Sequence, residues 1–522
     1  MRAQNVAVMS GHWVLLANYQ RRNDLKTRTM SRSLGATLAV LAALGMAYLA
    51  PTPAIGSSVV SAYTLVTPQA VSGSRLQIRA VIPTGIGCPQ VTITTRKGRT
   101  VSRKMSMRVP GATTGAAFAS LRACQANIPM LSDGIRNARV GGVTVPSKLP
   151  ATFSKIAMLG DTGCRVDDDA DPADIDVQDC SKSTGTSPSD YWPLAANARS
   201  IAREKPDLTI FTGDFFYRED PCPTGYELKC GGSPPPIASY QFNDTDYGWM
   251  ADVFIPMAPM LRAAPILAVR GNHEQCDRGG NGWFLFFEVS TSLSPAACAP
   301  GVIGGPTTKN ISPSWSFDAP IRNGRTLRIV AVDSAYGRNF DITDWVPTQR
   351  LAYESAAELS RPAKGRESWL LTHRPMFGLE PVEEAVPGLL PWTSTDQAAA
   401  SFGLTSNYQL MVASHVHVAQ VVKIPGQPPQ MVVGNGGSKP DIADQSSYAR
   451  PAYGPLSKAD GTPLSPDYQP YPNSSYDWTA VKYGYVIATP SRQAKQWSMT
   501  HKDSTGKSFA TCSLSGRQMT CE

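Results

Sequence analysis

Six histidines occur in this chain of 522 residues, and four of them stand where chemistry could use them. His273, His373, His415 and His417 each follow a short apolar run of the kind that forms a buried strand. His12 and His501 lie near the two ends of the chain. Other metal-ligand types occupy the same kind of position: Asp161 after Ile156–Leu159, Asp214 after Leu208–Thr212, and Asn272 after Ile266–Val269. Tyr217 closes the stretch Gly213-Asp214-Phe215-Phe216-Tyr217. Imidazole and carboxylate together suit zinc, iron or manganese. A carboxylate at a strand end can bridge two cations, and a phenol three residues on can reach one of them. His415 and His417, two apart on extended chain, put both imidazoles on one side, able to serve adjacent metals. Two metals about 3.5–4 Å apart can hold a phosphoryl group between them and generate hydroxide near neutral pH. A hydrogen-bonded structural role would explain any one of these histidines, but not four of them at strand ends.

For these residues to meet, their strands must present C-terminal ends along one edge of a sheet, where open α/β sheets place ligands. From about residue 151 the pattern alternates in that way. Apolar runs at 156–159, 208–212, 266–269, 327–332, 369–371, 410–413 and 431–433 read as strands, and 483–488 and 495–500 as closing ones. Leu194, Ala195, Ala198, Ile201 and Ala202 form the apolar face of a helix, 349–359 reads as another, and 248–262 as partly helical. The preceding stretch is different. Leu76, Ile78, Ala80 and Ile82 alternate, as do Met105, Met107 and Val109, which is the period of half-buried strands. The chain therefore divides into an export leader (1–56), an all-β domain (57–150) and a catalytic α/β domain (151–522), with Pro146–Pro150 as the linker.

The leader is basic and precedes an apolar, small-residue run, Leu34–Ala50, with Thr52-Pro53-Ala54 as a cleavage region. Met30 is an alternative translation start. Export places the protein in a periplasm or outside the cell, with no stable membrane insertion after cleavage. Ten cysteines fit that setting as disulfides, and sequential pairing would close one local loop per pair. Net charge is +8, of which residues 1–54 supply +5, so no nucleic-acid partner is assigned. The insertion 164–190 holds eight aspartates and reads as a solvated loop, with a calcium site as the alternative. A second insertion, 218–247, follows Tyr217 directly and is placed to rim a site.

In order along the chain, Gly160-Asp161-Thr162-Gly163, Gly213-Asp214-x-x-Tyr217, Gly271-Asn272-His273-Glu274, His373 and His415-x-His417 resemble the motifs of the metallophosphoesterase (calcineurin-like) superfamily. More narrowly they resemble its purple acid phosphatase branch, where a histidine of the first motif is lost and a tyrosine of the second gained. Gly163 and Tyr217 follow that pattern. Ser414, where glycine is usual, is the one departure. The resemblance implies a four-layer αββα sandwich behind a small all-β domain. It implies two metal ions: Fe(III) held by Asp161, Asp214, Tyr217 and His417, and Fe(II), Zn or Mn held by Asp214, Asn272, His373 and His415. Asp214 bridges, and His273 faces the phosphate as hydrogen-bond donor or general acid.

The expected function is hydrolysis of a small-molecule phosphate ester by metal-activated hydroxide, as a phosphomonoesterase. A phosphodiesterase or nucleotidase on the same scaffold is the nearest alternative, and a non-enzymatic exported binding protein the alternative of another class. Nothing in the sequence assigns an oligomeric state.

Overall fold

The structure is a computed structural model. It describes residues 59–522 apart from 72–73, 109–117, 168–175, 188–189, 232–241, 291–297, 299–309, 337–346, 377–378, 382–388, 392–402, 424–425, 441–474 and 494. The leader and most of the aspartate-rich insertion, with its calcium alternative, lie outside the described residues.

The N-terminal region is all-β: β1 (Ser61–Val71), β2 (Ser74–Pro83), β3 (Gln90–Thr95), β4 (Thr100–Lys104), β5 (Ser106–Met107), β6 (Leu121–Asn127), β7 (Ile135–Val140) and β8 (Val143–Val145). The first half of the α/β region supplies β9 (Ile156–Leu159), the short hairpin β10 (Val166–Asp167) and β11 (Asp176–Val177), β12 (Leu208–Phe211) and β13 (Ile266–Ala268). The second half supplies β14 (Trp315–Ile321), β15 (Arg325–Ala331), β16 (Arg366–Leu371), the hairpin β17 (Leu379–Pro381) and β18 (Leu389–Pro391), β19 (Leu410–Ala413), β20 (Ala419–Lys423), β21 (Gln430–Val433) and β22 (Ser475–Ala480). The chain closes with β23 (Tyr485–Pro490), β24 (Gln496–Lys502), β25 (Ser508–Ser515) and β26 (Gln518–Cys521).

Two large sheets result. One runs β26-β25-β24-β23-β9-β12-β13-β1-β2-β6-β5, with β9, β12, β13 and β1 parallel. The other runs β14-β15-β16-β19-β21-β20-β22, with β15, β16, β19 and β21 parallel. The two-residue period of each strand sorts its side chains. Ile156, Met158, Ile210 and Leu267 meet Ile329, Trp369, Leu410 and Met431 in one apolar core shared by both sheets. Leu159 and Phe211 point the other way, onto the helix Leu194–Glu204 and Trp249, Phe254 and Met257. Val330, Leu370 and Met411 likewise point outward onto Tyr353 and Ala356 of the helix Pro347–Leu359. The layers are therefore helix, sheet, sheet, helix.

The N-terminal region is all-β as expected, and its strands join the catalytic sheet across residue 150. Strand β1 pairs in parallel with β13, Leu65 opposite Ile266, so β1, β2, β6 and β5 extend the catalytic sheet itself. The four-stranded sheet β4-β3-β7-β8 covers this extension, with Val91, Ile93, Ala138 and Val145 packed toward Ile78, Ala80 and Cys124. In the linker, Thr64 Oγ1 donates to the Pro146 carbonyl at 2.6 Å. The ten cysteines pair sequentially: 88–124, 164–180, 222–230, 276–298 and 512–521.

Candidate metal centre

Each residue singled out in the sequence leaves the C-terminal end of a parallel strand. Asp161 follows β9, Asp214 and Tyr217 follow β12, Asn272 and His273 follow β13, His373 follows β16, and His415 and His417 follow β19. The first three strands belong to one sheet and the last two to the other, so the site lies across the edge of both.

The backbone bends sharply where these side chains turn inward. Asp161, Asp214 and His415 all adopt positive φ, at 52°, 56° and 73°. Such conformations cost about 1–3 kcal/mol each and persist only where neighbours over-determine them. Here Glu274 supplies much of that constraint. Its carboxylate accepts from the backbone N–H groups of Asp214 (3.0 Å), Phe215 (2.7 Å), Phe216 (3.2 Å) and Gly271 (2.9 Å). Burial, and then the Asp214 carboxylate, push the Glu274 carboxyl up to about 8 against those four donors. On the far side, His415 N–H donates to Asp161 Oδ2 at 2.7 Å.

The donor atoms converge in two buried groups, Asp161, Asp214 and His417 in one and Asp214, His373 and His415 in the other. In the first, the Tyr217 hydroxyl lies 2.7 Å from Asp214 Oδ2, 2.7 Å from His417 Nε2 and 3.2 Å from Asp161 Oδ1. In the second, His373 Nε2 lies 2.9 Å from Asn272 Oδ1, 3.2 Å from His415 Nδ1 and 3.3 Å from Asp214 Oδ2. The outer nitrogens fix the tautomers. His373 Nδ1 donates to the Thr212 carbonyl at 2.8 Å, and His417 Nδ1 donates to the Lys439 carbonyl at 2.7 Å. Both Nε2 atoms are thus lone-pair donors in the neutral rings. A lone pair on His373 Nε2 faces the Asn272 amide oxygen, and one phenolic proton cannot serve the three acceptors around Tyr217. Acceptors crowded against acceptors in a buried site call for cations, and the carbonyl-anchored imidazoles are of the kind that metal sites use. The donor set fits two metal ions sharing Asp214.

Electrostatics follow from the same crowding. Burial and the neighbouring Asp214 raise the Asp161 carboxyl well above the carboxylate range. Burial, then Arg374, hold His415 low.

Gly163 explains the place of Tyr217. A Cβ at 163 would lie 2.6 Å from Tyr217 N and 2.8 Å from its ring, so the space a side chain would need is taken by the tyrosine. Glycines hold the floor as well: a Cβ at Gly434 would meet the Val416 carbonyl at 2.0 Å and Asp161 Oδ2 at 2.7 Å. Ser414 adds a tie, its hydroxyl donating to the Thr212 carbonyl at 2.7 Å beside His373 Nδ1.

His273 lies outside both donor groups. Its ring lies tilted against Tyr217 with centroids 3.7 Å apart, and its backbone N–H donates to Asp214 Oδ1 at 2.9 Å. Its Nδ1 lies 2.7 Å from Glu219 Oε1 and 2.6 Å from Arg278 Nη2, which is 3.0 Å from Nε2. Glu219 also receives Arg278 through both carboxylate oxygens, at 2.7 and 2.8 Å. Burial, then Arg278, bring the imidazole down to about 4.

Sequence reasoning missed Glu219, Arg278, Arg374 and Ser334. Arg374 Nη1 lies 2.8 Å from His415 Nε2, and Ser334 Oγ accepts from the N–H groups of His373 (3.1 Å) and Arg374 (2.9 Å). Next to Ser334, Asp333 pairs with Arg270 at 2.8 Å, both buried. The end of β15 thus holds the His373 turn and, through Arg270, the Asn272 turn. Position gave a signal for two of the missed residues, since Arg374 adjoins His373 and Glu219 lies two residues past Tyr217.

The family model for calcineurin-like phosphoesterases matches residues 154–419, just over half of the chain, and the chain belongs to that family. No curated protein sequence matches it. Three solved structures resemble it distantly. The purple acid phosphatase PPD1 from yellow lupin (Lupinus luteus) seeds is 11% identical, with 89% of this chain and 74% of that one covered and a TM-score of 0.48. PhoD is 10% identical, with 89% and 92% covered and a TM-score of 0.49. GAP50, described as the anchor in the inner membrane complex of Plasmodium, is 12% identical, with 70% and 90% covered and a TM-score of 0.38.

Proposed function

We propose that the chain is an exported dinuclear-metal phosphoric-ester hydrolase of the purple acid phosphatase type, acting as a phosphomonoesterase on a small-molecule phosphate ester. The observation that carries this reading is the Tyr217 hydroxyl, within 3.2 Å of Asp161, Asp214 and His417, in space that Gly163 leaves open. One metal is held by Asp161, Asp214, Tyr217 and His417, the other by Asp214, Asn272, His373 and His415. Phenolate is a hard anionic oxygen, which favours Fe(III) at the first position; Fe(II), Zn or Mn suits the second. Bound there, the two ions supply Lewis-acid polarisation of a phosphoryl oxygen and activation of water.

The chain's own residues do the rest. Asp214 is shared between the two donor sets, so its placement by Glu274 sets their relation. His273, at the mouth, hydrogen-bonds a phosphate oxygen or gives a proton to the leaving oxygen, and Glu219 orients its ring. Arg278 and Arg374 place guanidinium groups beside His273 and His415, where they can meet a phosphate dianion. Export is supported by the five disulfides and the basic, then apolar, leader. Among the described residues no helix is long and apolar enough to cross a membrane.

Metal analysis with hydrolysis of a chromogenic phosphomonoester tests this reading. The expected result is two metal ions per chain and turnover abolished by Asp214→Ala. Metal-free protein, or protein active without metal, would contradict it.

A further inference from the structure

The charge remaining after the leader conceals two opposed parts. Residues 57–150 carry twelve Lys and Arg against one acidic residue, Asp133. The rest of the chain, 151–522, has 31 Lys and Arg against 39 Asp and Glu. A basic N-terminal region therefore sits beside an acidic catalytic one, and the modest total comes from their cancellation. Charge asymmetry of this kind marks a surface that meets an anionic partner.

The basic residues gather on the four-stranded sheet. Arg96, Lys97, Arg99, Arg103, Lys104, Arg136 and Arg139 are all exposed. Asp133 pairs with Lys97 at 3.6 Å and Arg99 at 3.2 Å, and among the described residues no carboxylate pairs with Arg103, Lys104, Arg136 or Arg139. Guarding a sheet edge would explain charge on β4, the outermost strand. It does not explain Arg136 and Arg139 on β7, which lies inside the sheet between β3 and β8.

Apolar side chains flank both ends of this charge. At one end, Met130 is 70% exposed. It precedes the turn of Leu131 and Gly134, whose carbonyl accepts from Arg96 N–H. At the other end, Met107 is 36% and Ile86 37% exposed. Met107 stands opposite Cys124, whose disulfide partner Cys88 is two residues from Ile86, and Lys104 pairs with Gln90 nearby. Among the described residues, the exposed large aromatics Phe242 and Tyr247 are not part of the four-stranded sheet, so the sheet itself has no platform for stacking bases.

We propose that this sheet docks the protein onto an anionic lipid surface, with Lys and Arg at the headgroups and Met130, Met107 and Ile86 entering the interface. Basic residues near an anionic bilayer contribute about 1 kcal/mol each, and shallow apolar insertion adds to them. The proposal stands whether or not the catalytic reading does.

Co-sedimentation of the mature chain with phosphatidylcholine vesicles, with and without phosphatidylglycerol, tests it. Binding is expected only with phosphatidylglycerol, and release as salt shortens the screening length. The triple variant Lys97→Glu, Lys104→Glu, Arg139→Glu, with Lys104 opposite Gln90 and Arg139 opposite Thr92 on the outer face and Lys97 in the adjoining turn, should bind roughly 100-fold more weakly while its hydrolysis of a soluble phosphomonoester is unchanged. Met130→Ser should weaken vesicle binding and leave retention on heparin unaltered. Equal binding to neutral vesicles, no vesicle binding, or a triple variant that binds as wild type would overturn the proposal. Tighter binding to a DNA duplex than to anionic vesicles, lost in the triple variant, would reassign the face to nucleic acid and overturn it as well.

Discussion

At the scale of single residues, His273 separates chemistry from metal holding. Its Nδ1 is engaged by Glu219, its ring lies on Tyr217, and it belongs to neither group of converging donors. His273→Ala should therefore keep both metals and lose rate, by about 10²–10⁴-fold if it transfers a proton. The loss should shrink for esters with good leaving groups, which need no protonation. Metal analysis beside a leaving-group series measures both; loss of metal would put His273 among the ligands. The metal-ligand types were legible in the sequence because aspartate, asparagine, tyrosine and histidine after apolar runs are rare in combination. Glu219, Arg278 and Arg374 were not, because a charged residue in a loop is ordinarily solvated and its partner is set by folding.

At the scale of elements, the site depends on a clasp between two sheets. Arg270 follows β13 in one sheet and Asp333 follows β15 in the other, and they pair at 2.8 Å in a buried setting. Asp333 Oδ2 also accepts from Ser312 N–H at 2.8 Å, and Oδ1 from Ala335 N–H at 3.1 Å. Asp333→Ala would leave the Arg270 guanidinium buried and uncompensated, at a cost of about 3–5 kcal/mol. Thermal unfolding should show that loss, and metal affinity should fall because the Asn272 and His373 turns lose their common anchor. Asp333→Asn, which keeps the acceptor oxygen, should be milder on both measures. An unchanged melting temperature in Asp333→Ala would remove the clasp from the account. The strands it joins were plain from their apolar runs. Their assignment to two sheets was not, because pairing such as β13 with β1 is set across 200 residues and leaves no local pattern.

Across the whole molecule, acid should unfold the protein from the C-terminal strands. His501 on β24 is fully buried, 3.6 Å from the sulfur of Cys512, and burial lowers its pKa to about 3. The unfolded chain would protonate the same ring near 6.5. A depressed folded value means that the unfolded state takes up more protons between the two. Stability should therefore be full above pH ~6.5 and fall as pH drops toward about 3, by on the order of 4–5 kcal/mol. His501→Leu, similar in bulk and uncharged, should lower the midpoint of acid unfolding followed by circular dichroism. A midpoint unmoved would assign acid sensitivity elsewhere. The same scale shows why the basic sheet escaped a reading by net charge: a basic region and an acidic region had nearly cancelled.

The central claim is a metal pair with Tyr217 in its coordination sphere, and the visible spectrum of iron-reconstituted protein tests it most directly. Iron(III) accepts charge from phenolate and absorbs visible light, which zinc does not. Wild-type protein should be coloured and hold two metals per chain, and Tyr217→Phe should bleach or strongly shift the band while metal remains. Active, iron-bearing wild-type protein whose spectrum is unchanged by Tyr217→Phe would contradict the claim.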